Sequence, residues 1–455
     1  MKTVAVILAA GEGKRMKSEY SKVIHKVGGK PIIERVYNSV KKADIDKCVV
    51  VVGHKREQVM EVMGDRAVYA VQEEQLGTGH AVMQAIPHIK DADRVVILCG
   101  DAPLITDETI KEALKIHEEK SLSATIFTAE FENPAGYGRI VRDSSSNVVG
   151  IVEDKDATEA QKLIKEVNSS MYCFDRVALC NALDKLDNNN AQNEYYLTDV
   201  IKIMISEGKK VDTYIVPDKD EIMGIINKIQ LSEAEAILRK KINYKHMANG
   251  VTLINPDNTY IEEDVVIGND TVIYPGTILE GNTVIGKGCV IAQNNRITNT
   301  VIGNETEIVS SVLIDSKVGN NTHIGPFAWL RPKSNVGDNI RIGDFVEIKN
   351  SNIGNGTKVS HLTYVGDSDI GENVNFGCGT VTVNYDGINK HRTVVGNNVF
   401  IGCNTNLVAP VKLGDRVYTA AGTTVTKDVP DDALVIGRCR QEVKENWTKG
   451  KIKGC

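Results

Sequence analysis

Two groups of residues in this chain have the types and spacing to do chemistry. In the first, Leu8-Ala9-Ala10-Gly11-Glu12-Gly13-Lys14-Arg15-Met16 extends an apolar run that begins at Val4. Small residues at 9–11 let the backbone approach a nucleotide, Gly13 permits a tight turn beside phosphates, and Arg15 adds a fixed positive charge. Cys99-Gly100-Asp101-Ala102-Pro103-Leu104 follows another apolar run and puts Asp101 at a strand end. Neither a Walker A sequence nor the dinucleotide fingerprint occurs, which disfavours an ordinary NTPase or dehydrogenase. The second group gathers in His361-Leu362-Thr363-Tyr364-Val365-Gly366-Asp367, Asn375–Gly379 and Asn384-Tyr385-Asp386-Gly387. A lone histidine is more often structural than catalytic. His361 differs because Arg331 and Lys349 precede it within a regular repeat, one or more coils back and on nearly the same side.

That repeat is the clearest organising feature of the chain. From Ile261 an aliphatic residue recurs every six positions, through Ile267, Ile273, Leu279, Ile285, Ile291 and Ile297, and after short phase slips the pattern runs on to Leu413-Gly414. A period of six fits neither a helix nor a hairpin meander. It predicts a parallel β-helix in which three six-residue sides make one triangular coil. The run Asn384–Thr393 cannot fit this register and should loop out of the prism, where solenoids build sites.

Residues 1–228 instead alternate apolar runs (Val4–Leu8, Cys48–Val52, Val95–Leu98, Ala124–Thr128, Val211–Val216) with amphipathic stretches (Pro31–Lys42, Arg56–Met63, Gly79–Ala85, Asp107–Glu119). This predicts a doubly wound, mostly parallel α/β sheet whose ligands sit beyond the carboxyl ends of its strands. Residues 229–249 read as a connecting helix, opened by a capping-box-like Ser232-Glu233-Ala234-Glu235. Residues 250–455 form the all-β repeat domain, with Lys444–Cys455 as a mobile polar tail.

The 455 residues are too many for one ordinary domain, and the hydrophobic fraction of 42% is that of a soluble globular protein. A formal net charge of −6 argues against nucleic-acid binding. The nine cysteines include no Cys-x-x-Cys pair, which fits a reducing compartment. No apolar stretch is long enough to span a bilayer, so no membrane insertion and a cytoplasmic location are expected.

Leu8–Met16, Ser21-Lys22-Val23, Gln72–Ala81 and Cys99–Leu104 resemble the sugar-1-phosphate nucleotidyltransferases, whose fold is Rossmann-like. Gly136-Tyr137-Gly138-Arg139, Ile151–Asp156 and Asn188–Tyr196 narrow this to the uridylyltransferase half of the bifunctional bacterial enzymes that make UDP-N-acetylglucosamine in two steps. The resemblance covers nearly the whole chain. It implies attack by N-acetylglucosamine 1-phosphate on the α-phosphorus of UTP, with release of pyrophosphate. Arg15 and Lys22 match the family's catalytic phosphate-binding bases, and Leu8, Ala9, Ala10 and Gly11 its nucleotide loop. Gln72, Gly77 and Thr78 match the residues that read uracil, and Gly138, Glu153 and Asn168 the sugar contacts. Asp101 matches the ligand of Mg2+, a role its strand-end position suits. The family's second metal ligand is an Asn, and Gly224-Ile225-Ile226-Asn227 puts Ile226 in its place, with Asn227 adjacent. Asn168-Ser169-Ser170 likewise replaces a commoner Asn-Thr-Gly.

The polar clusters of the repeat domain resemble the acetyl-CoA-dependent acetyltransferase half of the same family, a left-handed parallel β-helix of hexapeptide repeats. By that resemblance His361 takes a proton from the amine of glucosamine 1-phosphate as it attacks the thioester, and Glu347 orients or polarises the imidazole. Arg331 and Lys349 clamp the sugar phosphate, and Tyr364, Asn375, Asn384 and Tyr385 complete the pocket. Ala421 and Arg438 match acetyl-CoA contacts. Cys378 stands for the usual Ala and Cys403 for a common Ser, both close to the expected path of the cofactor. Neither thiol has an activating base in sequence, so direct transfer is expected. The resemblance also implies a homotrimer and a product that feeds peptidoglycan or lipopolysaccharide synthesis. Two other readings stay open at this point. One is a related nucleotidyltransferase with a regulatory β-helix, against which the His361–Asp367 and Asn384–Gly387 clusters count, and the other a non-catalytic scaffold, against which Arg15, Lys22, Asp101 and His361 together count.

Overall fold

The apolar runs that precede the connecting helix are buried on both faces because successive side chains of a strand point to opposite sides. Val4 and Val6 join Val49, Val51, Val95 and Ile97 in one apolar cluster. Their neighbours Ala5 and Ile7 join Val50, Val52, Val96 and Leu98 in another. A sheet buried on both faces needs helices on both, and the alternating sequence supplies them. The computed structural model describes residues 1–190 and 192–449; Ala191 and residues 450–455, the end of the expected tail, lie outside the described residues. The chain divides into two compact units, Met1–Leu238 and Arg239–Cys455.

The strands of the main sheet in the first unit are β1 (Thr3–Ala9), β2 (Lys47–Val52), β3 (Val68–Val71), β4 (Arg94–Cys99), β5 (Ala124–Glu130), β6 (Gly138–Arg142), β7 (Val148–Val152), β8 (Glu166–Asp175) and β9 (Val211–Ile215), and a two-residue hairpin pairs Lys26–Val27 with Lys30–Pro31. The helices of eight or more residues are α1 (Ile32–Lys42), α2 (Arg56–Met63), α3 (Thr78–Ala85), α4 (Asp107–Glu119), α5 (Arg176–Leu183), α6 (Leu197–Ser206) and α7 (Lys228–Ala248). The sheet order is β9-β5-β8-β4-β1-β2-β3, with the β6–β7 hairpin attached to β8. β8 runs antiparallel to β4 and β5, and the other strands of that order are mutually parallel. The carboxyl ends of β1 and β4, neighbours at the centre, therefore open on the same side, which brings Ala10–Gly13 beside Gly100-Asp101.

The long strand β8 has no strict alternation to announce it. Its register slips between Asn168 and Tyr172, and Ser170 takes a left-handed φ of 61°. The connecting helix also begins differently from the capping-box reading. α7 starts at Lys228, and the Asn227 Oδ1 accepts the amides of Ile229 (2.9 Å) and Gln230 (3.0 Å), a side-chain cap one turn earlier. Glu235 instead accepts the Gly28 amide at 2.6 Å. Leu231, Ala234, Ile237 and Leu238 pack on Met16, Val27, Ile32 and Leu104 in the first unit. In the second unit Asn243 of the same helix donates to the carbonyls of Pro256 (2.8 Å) and Thr259 (3.0 Å).

The second unit is a left-handed β-helix of three parallel sheets with 11, 10 and 9 strands. Each sheet takes every third strand, as a triangular coil requires, until the last pairing of Tyr418–Thr419 with Leu434–Val435. Ile273, Leu279, Ile291, Ile297, Ile308, Leu313 and Leu330 point inward with no exposure. The phase slips are shortened coils. Val272 pairs with Val290 eighteen residues on, but Val290 pairs with Glu307 only seventeen on. Buried Thr and Ser hydroxyls bond to carbonyls of the next coil, as from Thr271 to Gly286 (2.8 Å) and Thr306 to Gly319 (2.9 Å). These hydroxyls satisfy backbone at the corners, where the pleated ladder is interrupted. Corner amides also bond to the side chain one coil on: Asn304 N to Asn320 Oδ1 (2.8 Å), Asn320 N to Asp338 Oδ1 (2.6 Å) and Asp338 N to Asn355 Oδ1 (2.8 Å). The excursion after Val383 leaves the prism as expected, although Thr393 is already back in strand Thr393–Val395.

Leu330→Ala removes a side chain from this aliphatic column, and adjacent coils cannot close the gap without breaking ladder bonds. The expected loss is about 2–5 kcal/mol. Denaturant titration followed by Trp329 fluorescence measures it, and a loss below about 1 kcal/mol would show a column far looser than native packing density.

Candidate active sites

The first site is built on the turn after β1. Gly13 adopts φ 64°, and a Cβ there would come within 2.9 Å of the Lys22 Cβ, so the loop needs glycine both for conformation and for space. Lys22 is thereby pressed toward the end of β4, where its amine pairs with the Asp101 carboxylate. A cavity of about 290 Å3 opens over the pair, lined among others by Ala9, Ala10, Gly11, Gln72, Gly77 and Thr78. Gln72 is buried, and its Nε2 lies 3.1 Å from both the Gly77 carbonyl and the His80 Nδ1. Gly77, at φ 108°, packs against the Tyr195 backbone, and Thr78 Oγ1 accepts the Leu197 amide at 3.1 Å. The segment before α6 is thus tied to the loop before α3, and Glu194 joins the cavity wall.

A second cavity of about 490 Å3 shares Leu8, Thr78, Cys99 and Glu194 with the first and extends to Arg15, Glu153 and Tyr172. A nucleotide and a sugar phosphate could therefore lie end to end, with Lys22 and Arg15 flanking the junction. Burial raises the Glu153 carboxyl above the usual range, opposed by a hydrogen bond from Thr198. Two expected sugar contacts lie behind this wall. Asn168 is buried, with Nδ2 bonded to the Tyr172 hydroxyl (2.9 Å) and Oδ1 accepting the Ser170 amide (3.1 Å). Gly138 opens β6 against Ile151, and the cavity is lined by Gly136 and Ser170 instead. Since Asn168 holds the β8 bulge that carries Ser170, its side chain is engaged in shaping that wall.

For a metal, the first unit offers the Asp101 carboxylate. The segment 224–227 lies against it, with the Ile225 amide bonded to the Asp101 carbonyl at 2.9 Å. Ile226 has no donor side chain, and the Asn227 oxygen is engaged as the α7 cap. Among the described residues no group of three His, Cys, Asp or Glu could enclose an ion. One carboxylate at the floor of this cavity fits the chemistry of Mg2+, a hard cation that takes few protein ligands and keeps several waters.

In the second unit the register decides the site. Asp344 pairs with His361 across adjacent coils, and the His361 Nδ1 lies 2.7 Å from the Asp344 Oδ1. Three rungs of the same sheet, Val359 with Phe376, Phe376 with Ile401 and Ile401 with Thr419, carry the alignment onward. His361, Cys378, Cys403 and Ala421 therefore occupy the same place on successive coils, about 4.8 Å apart. Backbone bonds from Asn404 to Cys378 and Gly422 to Cys403 hold this column, and the Arg438 guanidinium closes its end on the Ala421 carbonyl at 2.6 Å. Asn375 stands on the sheet below Phe400.

Around the corner from His361, the next sheet stacks Glu347 on Tyr364 and Lys349 on Gly366. Arg331 and Lys349 precede His361 by whole numbers of hexads but not of three-hexad coils, so they sit on this adjoining face and not above the histidine. The expected partner of His361, Glu347, is bonded instead to Arg331 at 2.9 Å, because Arg331 lies one coil below on its own sheet. Asp344, which sequence reading missed, takes that place. Lys390 was also missed. It sits on the excursion, and its contact with Lys349 holds that amine below the usual lysine range, with burial adding to the effect and Asp367 opposing it. Asp367 accepts from Asn350 at 2.5 Å and from Asn384, and the Lys349 amine lies 3.8 Å away. Asn384 Nδ2 also reaches the Tyr364 hydroxyl at 3.4 Å, while Tyr385 is exposed on the loop. Only contacts between residues far apart in sequence reveal Lys390, so no local signal marks it.

The family model described as nucleotidyl transferase matches residues 4–222, and that described as bacterial transferase hexapeptide (six repeats) matches 264–299 and 392–427. The bifunctional protein GlmU of Acetivibrio thermocellus is 55% identical over 453 residues, 99% of this chain and 98% of the relative. That of Clostridioides difficile is 52% identical over 447 residues, 98% and 97% of the two chains. That of a Geobacillus species is 53% identical over 448 residues, 98% of both. With a cavity over Lys22 and Asp101 at the strand ends of one unit, a histidine column on the hexapeptide prism of the other, and relatives more than half identical from end to end, this chain belongs to the bifunctional GlmU family.

Proposed function

We propose that the chain makes UDP-N-acetylglucosamine in two steps, one in each unit. In the second unit the amine of glucosamine 1-phosphate attacks the acetyl-CoA thioester. The N–C bond forms, the C–S bond breaks, His361 Nε2 takes the amine proton, and coenzyme A leaves as its thiol. Arg331, Lys349 and Lys390 hold the sugar phosphate, and the edge column from Cys378 to Arg438 carries the cofactor. In the first unit the phosphate of N-acetylglucosamine 1-phosphate attacks the α-phosphorus of UTP in line, and pyrophosphate departs. Lys22 and Arg15 neutralise the charge that spreads over the phosphate oxygens, so positioning and electrostatics do the work. When bound, Mg2+ draws charge from the triphosphate; Asp101 would hold it.

The observation that supports this reading is that each unit has a polar cluster of its own, Lys22 and Asp101 under a cavity in the first and His361 bonded to Asp344 in the second. A coupled assay with glucosamine 1-phosphate, acetyl-CoA, UTP and Mg2+ tests it. A product with the mass of UDP-N-acetylglucosamine is expected; consumption of UTP without acetyl-CoA consumption overturns the second half. The substrates place the enzyme in the cytoplasm, and the product class is a precursor for cell-envelope polymers such as peptidoglycan or lipopolysaccharide. No described helix is long and apolar enough to cross a membrane.

Next to His361 the prism edge exposes Phe327, Phe345 and Leu362, with the two phenyl rings stacked at 5.5 Å. An apolar ladder beside an open column supports a homotrimer in which a neighbouring copy covers the acetyl site. Light scattering should give three times the 49.7 kDa chain mass, and a monomer overturns this part.

Because Ile226 supplies no oxygen, Asp101 is the side chain proposed for Mg2+, with substrate phosphates completing the set. Ile226→Asn offers a second donor and should lower the Mg2+ concentration for half-maximal uridylyl transfer roughly tenfold. A Mg2+ titration at saturating substrates measures it, and an unchanged midpoint counts against the missing-ligand explanation.

A further inference from the structure

We propose that Asp344 is the positioning residue for His361, holding the imidazole in the tautomer whose Nε2 lone pair faces the substrate amine. The assignment rests on the acetyl-transfer reading and adds the group that orients its base. Asp344 and His361 are register partners on strands Arg341–Asp344 and Lys358–His361, and their side chains meet at 2.7 Å. The hydrogen bond from His361 holds the Asp344 carboxyl below the usual carboxylate range. An ionised carboxylate only accepts, so Nδ1 must carry the proton and Nε2 is left as the acceptor.

The backbone fixes the same geometry. The Leu362 amide donates to the Asp344 carbonyl at 3.0 Å, locking the two coils together at this rung. One residue earlier, the absence of a side chain at Gly343 lets the Ser360 carbonyl pack against it, so the strands approach closely just before the pair. The carboxylate expected from sequence to orient His361, Glu347, is engaged by Arg331 around the corner. Asp344 therefore has no competitor for Nδ1 among the groups bonded here, and it touches neither substrate phosphate nor cofactor in the proposed arrangement.

A buried triad carboxylate made unable to hold the right tautomer costs about 10⁴-fold in kcat. The Asp344 side chain is 38% exposed, so water can stand in and a smaller effect is expected. Asp344→Ala should lower kcat for acetyl transfer about tenfold with KM for both substrates unchanged. Asp344→Asn keeps an acceptor oxygen and should recover most of that loss. Uridylyl transfer by the same variants should stay at the wild-type rate, which controls for folding. In a His361→Ala background, Asp344→Ala should have no further effect, since a residue acting through another is non-additive with it. Wild-type kcat in Asp344→Ala, or the same tenfold loss on top of His361→Ala, overturns the assignment. Full acetyl transfer in His361→Ala itself would instead overturn the acetyl-transfer reading, so the two failures are distinguishable.

Discussion

His361→Ala lowers acetyl transfer by about 10²–10⁴-fold, the usual contribution of a positioned general base, and leaves uridylyl transfer from supplied N-acetylglucosamine 1-phosphate unchanged. The size follows from what remains. In the proposed arrangement Arg331, Lys349 and Lys390 still bind the sugar phosphate and the column still presents the thioester, so KM is expected to move little and the loss to fall on kcat. The amine then reaches the carbonyl still carrying its proton, with no acceptor at the face of the coil. The separation of effects follows from the fold, because His361 and the nucleotide cavity belong to different compact units. Separate assays of coenzyme A release and pyrophosphate release measure the two steps. Loss of both activities would mean that His361 supports the whole fold or that the two sites are not independent.

Asp101→Ala is expected to have the mirror effect, lowering uridylyl transfer by about 10³-fold while acetyl transfer is retained. Removing the proposed protein ligand of a Lewis acid forfeits several times the increment of about 1.4 kcal/mol that changes a rate tenfold. The neighbouring segment 226–227 does not compensate, since Ile226 is aliphatic and Asn227 caps α7. The change also strips Lys22 of its partner at the cavity floor, so the freed amine is mispositioned as well as the metal. Asp101→Asn separates the two: it keeps a neutral oxygen near Lys22 but not the charge, and should lie between alanine and wild type. Rescue of Asp101→Ala by raised Mg2+ is expected to be partial. An alanine variant with wild-type pyrophosphate release would show that the ion, if needed, is held elsewhere.

How these sites were legible in the sequence differs between the units. In the first, the motifs are local. Gly11 to Arg15 and Gly100-Asp101 each follow a buried strand, and a parallel sheet must place both turns at one end. Helices α2 and α4 follow their amphipathic patterns residue for residue. What was not legible is β8, whose bulge at Asn168–Ser170 breaks the alternation that would have marked it. Asn168, expected at the sugar, has both ends of its amide bonded within that bulge, because a buried amide takes the partners nearest to it. The cap of α7 was misread for a similar reason, although its start at Lys228 lies within one residue of the expected helix. Ser232 and Asn227 are both acceptable caps in sequence, and packing of Leu231 and Ala234 in the first unit extends the helix back to the earlier one.

By itself the sequence determined the architecture of both units and the residue types that do the chemistry, because period, turn chemistry and strand-end motifs are local properties. Six-residue phasing leads to a triangular prism whatever the partners of each rung. Only the tertiary structure decided which polar groups meet. Coils of unequal length shift the rungs against one another, so the offset between two residues no longer states whether they stack or turn a corner. One such shortened coil brings Asp344, seventeen residues before His361, onto its Nδ1, while Arg331 takes Glu347. The excursion from Asn384 carries Lys390 back onto Lys349 in the same way. These contacts come from register and loop closure, which sum over the whole chain and are written at no single position in it.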